Sequence, residues 1–214
     1  LLAKQAEELE KQTGEIFTAI ENELTNPSTN GETTVRTKTA KISAVGDILC
    51  QMDMIDDAKT SDGYDFSHMF TEISKFVKNS DIAIGTLETN FVDGKYSGVG
   101  KYNSPIEFLK AVKDSGIGLV SLAHNHVLDY GTQGLETTIS KIKEQNIEIT
   151  GIKENLERTN EQDENTLDEE KQENPDFTGN IKEINGIKVA FLGYTYGLSN
   201  ENEVNEEEKK KANI

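Results

Sequence analysis

Apolar and polar positions between residues 41 and 150 follow a pattern that predicts a strand and then a helix, three times in succession. Three short apolar runs of strand length end in polar residues, at Ile42 to Val45, Ile82 to Leu87 and Gly118 to Val120. Right-handed crossovers between such strands give a parallel sheet. We therefore predict an α/β fold in which all three strand ends lie at one edge of the sheet.

Helical patterns separate and follow these runs. The apolar residues of the first helix recur at steps of four, three and four: Phe66, Phe70, Ile73 and Val77. The second begins at Ser104 to Glu107, which reads as a capping box with proline at the first helical position, and it stops near Gly116. The third runs from about Thr132 to Asn146 and leads into a further short strand at 147 to 149.

The remaining segments flank or interrupt this α/β domain. Residues 1 to 24 carry a narrow apolar stripe and are predicted to form an amphipathic helix that is too polar to span a membrane. Residues 25 to 40 are a threonine-rich linker. Residues 153 to 178 are predicted to be a solvated or disordered acidic insertion, with ten acidic and three basic residues up to position 176. Asn185-Gly186 between two apolar runs predicts a hairpin, and residues 199 to 214 form a charged tail.

Composition excludes one class of partner and leaves the compartment open. The formal net charge of −17 argues against nucleic acid, because phosphates need a basic surface. The single cysteine, Cys50, cannot form a disulfide within the chain, so it neither places the protein in an oxidising compartment nor excludes one. Cys50 is either a small buried core residue or a soft metal ligand three residues after Asp47.

Polar side chains follow each predicted strand at the same edge of the sheet. Asp47 follows the first, Glu88 the second, and the triplet His124-Asn125-His126 the third. Ligands of open α/β sheets bind at this edge, and carboxylates with imidazoles suit a divalent cation such as manganese, magnesium or zinc. In the alternative interpretation Asp47 caps a turn, Glu88 is solvated and the histidines satisfy loop carbonyls. We favour a cation site.

Five short motifs in this region together resemble a known family. They are Val45-Gly46-Asp47, Tyr64-Asp65-Phe66-Ser67, Ile84-Gly85-Thr86-Leu87-Glu88, Asn103-Ser104-Pro105, and Ser121 to His126 followed by Asp129-Tyr130-Gly131. Their order and spacing resemble the CapA (PgsA) proteins of bacterial poly-gamma-glutamate capsule biosynthesis, whose domain is related to the calcineurin-like metallophosphoesterases. The resemblance covers roughly residues 41 to 198. It implies the N-terminal half of a metallophosphoesterase-like α/β/β/α sandwich.

The resemblance also implies roles for individual residues. The positions that match metal-site and phosphate-site residues of the phosphoesterase relatives are Asp47, Glu88 and Asn125. His126 matches the acid–base or phosphate-contacting residue. The family usually has asparagine where this chain has His124, which is then either an additional ligand or a neutral substitution. Further candidate site residues are Asn103 and Asp129. The family's later histidine motifs are absent from this chain, which predicts an incomplete site.

Two functions from different classes agree with these observations. The first is a metal-dependent hydrolase or transferase in which the cation polarises a phosphoryl or acyl oxygen and His126 moves a proton. The second is a non-catalytic component of capsule assembly and export that binds the polymer or a partner protein. The resemblance implies poly-gamma-glutamate or its synthase subunits as partners, a membrane anchor upstream, and a domain outside the cytoplasm. Repulsion between this acidic chain and a polyanion calls for bridging cations or a basic patch, for which the candidates are Lys95, Lys101 and Lys110.

Overall fold

The computed structural model describes residues 37–153 and 179–213. The chain divides into two compact units, Leu1–Thr37 and Lys38–Ile214, and the fold described here is that of the second. The amphipathic helix predicted at 1–24 lies outside the described residues. So do most of the linker predicted at 25–40 and all of the acidic insertion after Lys153.

A four-stranded parallel sheet forms the centre of the domain. Its strands are β1 (Ile42–Ile48), β2 (Ile82–Leu87), β3 (Leu119–Ser121) and β4 (Glu148–Thr150). They lie in the order β1-β2-β3-β4, and each neighbouring pair is parallel. The predicted α/β fold with a parallel sheet is therefore confirmed, and the carboxyl ends of the strands lie at one edge.

The first strand is longer than the sequence pattern indicates. It continues beyond Val45 through Gly46 and Asp47 to Ile48, and its register with β2 shifts between Ala44 and Asp47. Such an irregularity inserts extra length into one strand and turns its end. Asp47 therefore belongs to the strand, and the prediction that the strand stops before it is wrong.

Four α-helices lie between the parallel strands along the chain. They are α1 (Met52–Asp57), α2 (Thr71–Val77), α3 (Ile106–Ser115) and α4 (Gly131–Glu144), with a 3-10 turn at Ser67–Phe70 before α2. The last three confirm the predicted helices. The sequence pattern does not predict α1, because six residues are too few for helical periodicity to be recognised.

The capping box predicted at the start of α3 is wrong. The helix begins at Ile106 after Pro105, and its N-terminus has no side-chain cap. The Ser104 hydroxyl lies 2.7 Å from the buried Thr89 hydroxyl instead, which holds the segment before α3 against the segment after β2. The predicted stop is confirmed, since Gly116 adopts a left-handed conformation with φ of 107° that favours glycine.

The two faces of the central sheet pack against different layers. On β2, Ala83 and Leu87 join the main core with the buried face of α3, which includes Leu109 and Val112. Ile82 and Ile84 point to the opposite face and pack with Leu119, Ile184 and Phe191. Of these, Ile184 and Phe191 belong to an antiparallel hairpin made of β5 (Asn180–Ile184) and β6 (Ile187–Phe191). The described layers therefore run helices, four-stranded sheet, two-stranded sheet.

The turn of the β5–β6 hairpin and the helix near the end of the chain both follow local sequence preferences. Asn185 and Gly186 have φ values of 53° and 77°, and positive φ at both central residues matches the predicted type I′ hairpin turn. Beyond residue 199 the chain forms α5 (Glu206–Lys209), which is capped by Asn205 and Glu208. Among the residues that the structure describes, every helix falls short of the length and apolar character needed to cross a membrane.

Candidate functional site

A histidine and a buried aspartate form a close pair after the end of β3. The Nδ1 atom of His126 lies 2.8 Å from Oδ2 of Asp129, whose side chain is fully buried. Because an ionised carboxylate can only accept, Nδ1 donates its hydrogen, and in the neutral ring Nε2 keeps a free lone pair. The ring of Tyr102 packs edge-on against the imidazole, with centroids 4.6 Å apart. The pair therefore fixes both the tautomer and the orientation of His126.

Asp129 accepts hydrogen bonds from three separate parts of the chain. Besides His126, the backbone N–H of Tyr102 donates to Oδ2 at 3.1 Å and the Ser199 hydroxyl donates to Oδ1 at 2.9 Å. A buried carboxylate is stable only when it is paired and hydrogen-bonded, and these donors meet that need. Asp129 thus orients the imidazole and joins the segments that surround it.

Glu88 faces the free nitrogen of His126. Its Oε1 lies 3.9 Å from Nε2, too far for a direct hydrogen bond, and both side chains are mostly buried. The Glu88 backbone N–H donates to the carbonyl of Ile48, which holds the backbone of Glu88 beside the end of β1. Burial raises the pKa of Glu88, the nearby charge of Asp47 raises it further, and His126 opposes the shift. Glu88 is therefore a carboxylate that resists ionisation.

The remaining predicted site residues differ in their surroundings. Asp47 is exposed at the end of β1, close enough for its charge to act on Glu88. Asn125 is exposed, and its carbonyl oxygen accepts from the Ser199 N–H at 2.8 Å. Asn103 is buried: its side-chain oxygen accepts from the Val92 N–H and its amide donates to the Val92 carbonyl, so it holds a loop.

His124 is buried behind the site. It is 6% exposed, its Nδ1 accepts from the backbone N–H of His126 at 3.2 Å, and it has a hydrogen bond to the backbone of Leu87. Burial lowers the pKa of His124 to about 3, the charge of His126 adds to the effect, and the bond to Leu87 opposes it. These contacts support the loop that carries His126, which favours the neutral-substitution alternative for His124.

The donor set fits a divalent cation in part. Burial and then the charge of Asp47 raise the pKa of Glu88, and a cation bound by both carboxylates would favour the ionised form of Glu88. Manganese, magnesium and zinc all accept carboxylate oxygen, and His126 offers a nitrogen. Over residues 37–153 and 179–213, however, no three His, Cys, Asp or Glu side chains form a group that could hold a metal ion. The described residues thus supply fewer close ligands than a complete site needs.

Sequence reasoning missed Ser199 and Tyr102. Ser199 falls in the segment predicted as a charged tail, yet its hydroxyl lies 3.1 Å from Nδ1 of His126. Tyr102 contributes a backbone N–H and a ring face, and neither has a sequence signature. The only signal for Ser199 is its position in a short run without charge, Gly197 to Asn200, before an acidic stretch. A hydroxyl that acts through a loop contact cannot be recognised from such a run.

Fold and site together define a class of protein. The chain has a metallophosphoesterase-like α/β fold, with helices and a second sheet on opposite faces of a parallel sheet. Carboxylates and an oriented imidazole lie at the carboxyl ends of the strands, where such folds bind ligands.

Comparison with known proteins identifies the family within that class. The chain belongs to the bacterial capsule synthesis protein family PGA_cap, whose model matches residues 41–214. It is 29% identical over 140 residues to the capsule biosynthesis protein CapA of Bacillus anthracis, a match that covers 62% of this chain and 29% of that protein. It is 26% identical over 159 residues to the PGA biosynthesis protein CapA of Bacillus subtilis strain 168, covering 72% of this chain and 36% of that protein. The matched region thus spans about a third of the length of these curated relatives.

Proposed function

We propose that the chain acts in capsule biosynthesis as an acid–base hydrolase or transferase, with His126 as the residue that moves the proton. The observation that carries the proposal is the Asp129–His126–Glu88 arrangement. A buried carboxylate holds the proton on Nδ1 and so presents the lone pair of Nε2 to the space in front of Glu88. This is the geometry expected of a general base whose tautomer is fixed by a partner.

Each residue of the site would have a separate role in the proposed reaction. Nε2 and Glu88 Oε1 lie 3.9 Å apart, so a substrate hydroxyl beside the line between them could contact both at hydrogen-bond distance and give its proton to Nε2. Asp129 then stabilises the resulting imidazolium through the Nδ1 hydrogen bond. Asp47, Glu88 and Asn125 would hold a divalent cation, which when bound polarises a phosphoryl or acyl oxygen of the substrate.

The substrate in this proposal is poly-gamma-glutamate or an intermediate of its assembly, and the partners are subunits of its synthase. The names of the two relatives support that process, one through capsule biosynthesis and the other through PGA biosynthesis. We also propose, on the family resemblance, that the domain works outside the cytoplasm next to a membrane anchor.

Electrostatics favours cations as the bridge to an anionic polymer. Of the three lysines predicted to form a basic patch, Lys101 is paired with Glu203 at 2.9 Å. A nearby carboxylate thus already partners this lysine, in a chain whose net charge is −17. Divalent cations that neutralise both carboxylate groups would relieve the repulsion between protein and polymer.

The test compares the wild type with His126→Gln, with His68→Gln as the control for loss of an exposed histidine elsewhere. Hydrolysis of a phosphomonoester and of poly-gamma-glutamate is measured with manganese, magnesium or zinc, together with metal content and polymer binding. For any substrate that the wild type turns over, His126→Gln should lose about a hundredfold or more of the rate, while His68→Gln should keep it. Polymer binding without turnover in any protein would instead support the non-catalytic alternative.

A further inference from the structure

Ser199 makes four polar contacts with the segment that carries His126. Its backbone N–H donates to the Asn125 carbonyl at 2.8 Å, and its hydroxyl lies 3.1 Å from the same oxygen. The hydroxyl also lies 2.9 Å from Oδ1 of Asp129 and 3.1 Å from Nδ1 of His126. One side chain therefore touches both members of the Asp129–His126 pair.

The single hydrogen of the Ser199 hydroxyl has two acceptors in reach, the Asn125 carbonyl at 3.1 Å and Oδ1 of Asp129 at 2.9 Å. The shorter contact to a charged oxygen favours donation to Oδ1, while Nδ1 of His126 donates to Oδ2. The lone pairs of Ser199 then face the Nδ1 hydrogen. Both oxygens of Asp129 are occupied, and the carboxylate cannot rotate without losing a charge-assisted hydrogen bond.

The loop around Ser199 is held in place independently of its hydroxyl. The amide of Asn200 donates to the Leu128 carbonyl at 2.7 Å, and the N–H of Thr195 donates to the Asn213 carbonyl at 2.8 Å. At the start of the loop, Gly193 lies so close to Gly151 that an added Cβ would approach the Gly151 Cα to 3.1 Å. Removal of the hydroxyl should therefore leave the loop where it is.

We propose that Ser199 is a positioning residue that fixes the Asp129 carboxylate and, through it, the imidazole of His126. Its effect on turnover rests on the proposed function, whereas its effect on the orientation of the ring does not. The hydroxyl touches no reacting atom, because the reacting nitrogen is Nε2 and Ser199 lies on the Nδ1 side.

The test uses Ser199→Ala, which removes the hydroxyl, and Ser199→Thr, which keeps it at an exposed position with room for a methyl group. Ser140→Ala, at an exposed position on α4, is the matched control. The primary readout is the Nδ1–H signal of His126 in nitrogen-edited NMR at a fixed pH, with its exchange rate with water. His124→Asn and His68→Gln assign the three histidines. Thermal melts check that every variant is folded.

In Ser199→Ala we expect the Nδ1–H hydrogen to exchange about tenfold faster, while Ser199→Thr and Ser140→Ala keep the wild-type rate. If the chain turns over substrate, kcat should fall about tenfold in Ser199→Ala with KM unchanged, because ground-state binding does not involve the hydroxyl. An unchanged Nδ1–H signal in folded Ser199→Ala would overturn the proposal, and so would equal losses in the alanine and threonine variants. Because the NMR readout needs no substrate, failure of the proposed catalytic function leaves this test decisive.

Discussion

The buried histidine behind the site should make the stability of the domain depend on pH. The pKa of His124 is about 3 in the folded chain, lowered from 6.5 mainly by burial. Below pH 6.5 the unfolded chain therefore takes up a proton at this residue while the folded chain does not. By linkage the folded state loses stability as pH falls through this range, and the full contribution is present only above it.

The size of the effect follows from the two pKa values. Each pH unit between them costs about 1.4 kcal/mol, so this single residue should lower the free energy of unfolding by about 2 kcal/mol between pH 7 and pH 5. That is a large part of the stability of a small domain, which is commonly about 5–15 kcal/mol. Glu88 works in the opposite direction, because its raised pKa makes the folded chain bind a proton more readily than the unfolded chain as the pH falls.

The measurement compares wild type with His124→Asn by urea denaturation at several pH values. Asparagine places an oxygen where Nδ1 of His124 accepts from the His126 N–H, so the loop keeps that hydrogen bond, and it carries no titrating group. The variant should lack the steep loss of stability towards pH 5. His68→Asn, which removes an exposed imidazole, should retain it because His124 is still present. The same slope in His124→Asn as in the wild type would refute the assignment of the effect to this residue.

Three further predictions concern the site and its support. Glu88→Gln should raise the melting temperature at pH 7 in the presence of chelator and lose that advantage near pH 4, because the raised pKa of Glu88 penalises only its ionised form; an equal gain at both pH values contradicts this. Asp129→Ala should lower the free energy of unfolding, measured by chemical denaturation, by about 2–4 kcal/mol, because the Tyr102 N–H and the Ser199 hydroxyl lose their acceptor. Asp129→Asn keeps an acceptor for the Tyr102 N–H and should lower it by only about 1 kcal/mol. Gly193→Ala should lower the free energy of unfolding by about 1–3 kcal/mol, because the added Cβ would overlap the Ser121 side chain. Gly46→Ala should leave the stability nearly unchanged, because there is open space around Gly46. Equal losses of stability in the two variants would show that crowding at Gly193 is unimportant.

The sequence predicts the fold well where pattern and physics coincide. Alternation of apolar runs with helical spacing places β1, β2 and β3 in a parallel sheet, and Glu88 and His126 meet because parallel strands end at one edge. Asn185-Gly186 predicts its turn because few residues tolerate positive φ twice in succession. In each case a local rule and the tertiary structure require the same residue type.

Prediction fails where a side chain has two available partners. Ser104 satisfies the capping-box rule, but its hydroxyl bonds Thr89 in the buried interior and leaves the helix uncapped. Asp129 was one candidate among several, and its role follows only from donors that lie far from it along the chain. Such choices are decided by long-range contacts, which periodicity and spacing do not record.

The bond between Ser199 and Asn125 closes a loop of 74 residues that includes the acidic stretch after Lys153. The chain on either side of that stretch is anchored to the domain, since the Lys153 N–H donates to the Lys211 carbonyl at 3.0 Å and the Asn180 side-chain amide donates to the Glu148 carboxylate at 3.2 Å. The length of the acidic stretch can therefore vary with little effect on the position of the His126 imidazole. Deletions and insertions there should accumulate in related chains far more readily than in the few residues between His126 and Asp129, where each backbone position is tied to the geometry of the pair.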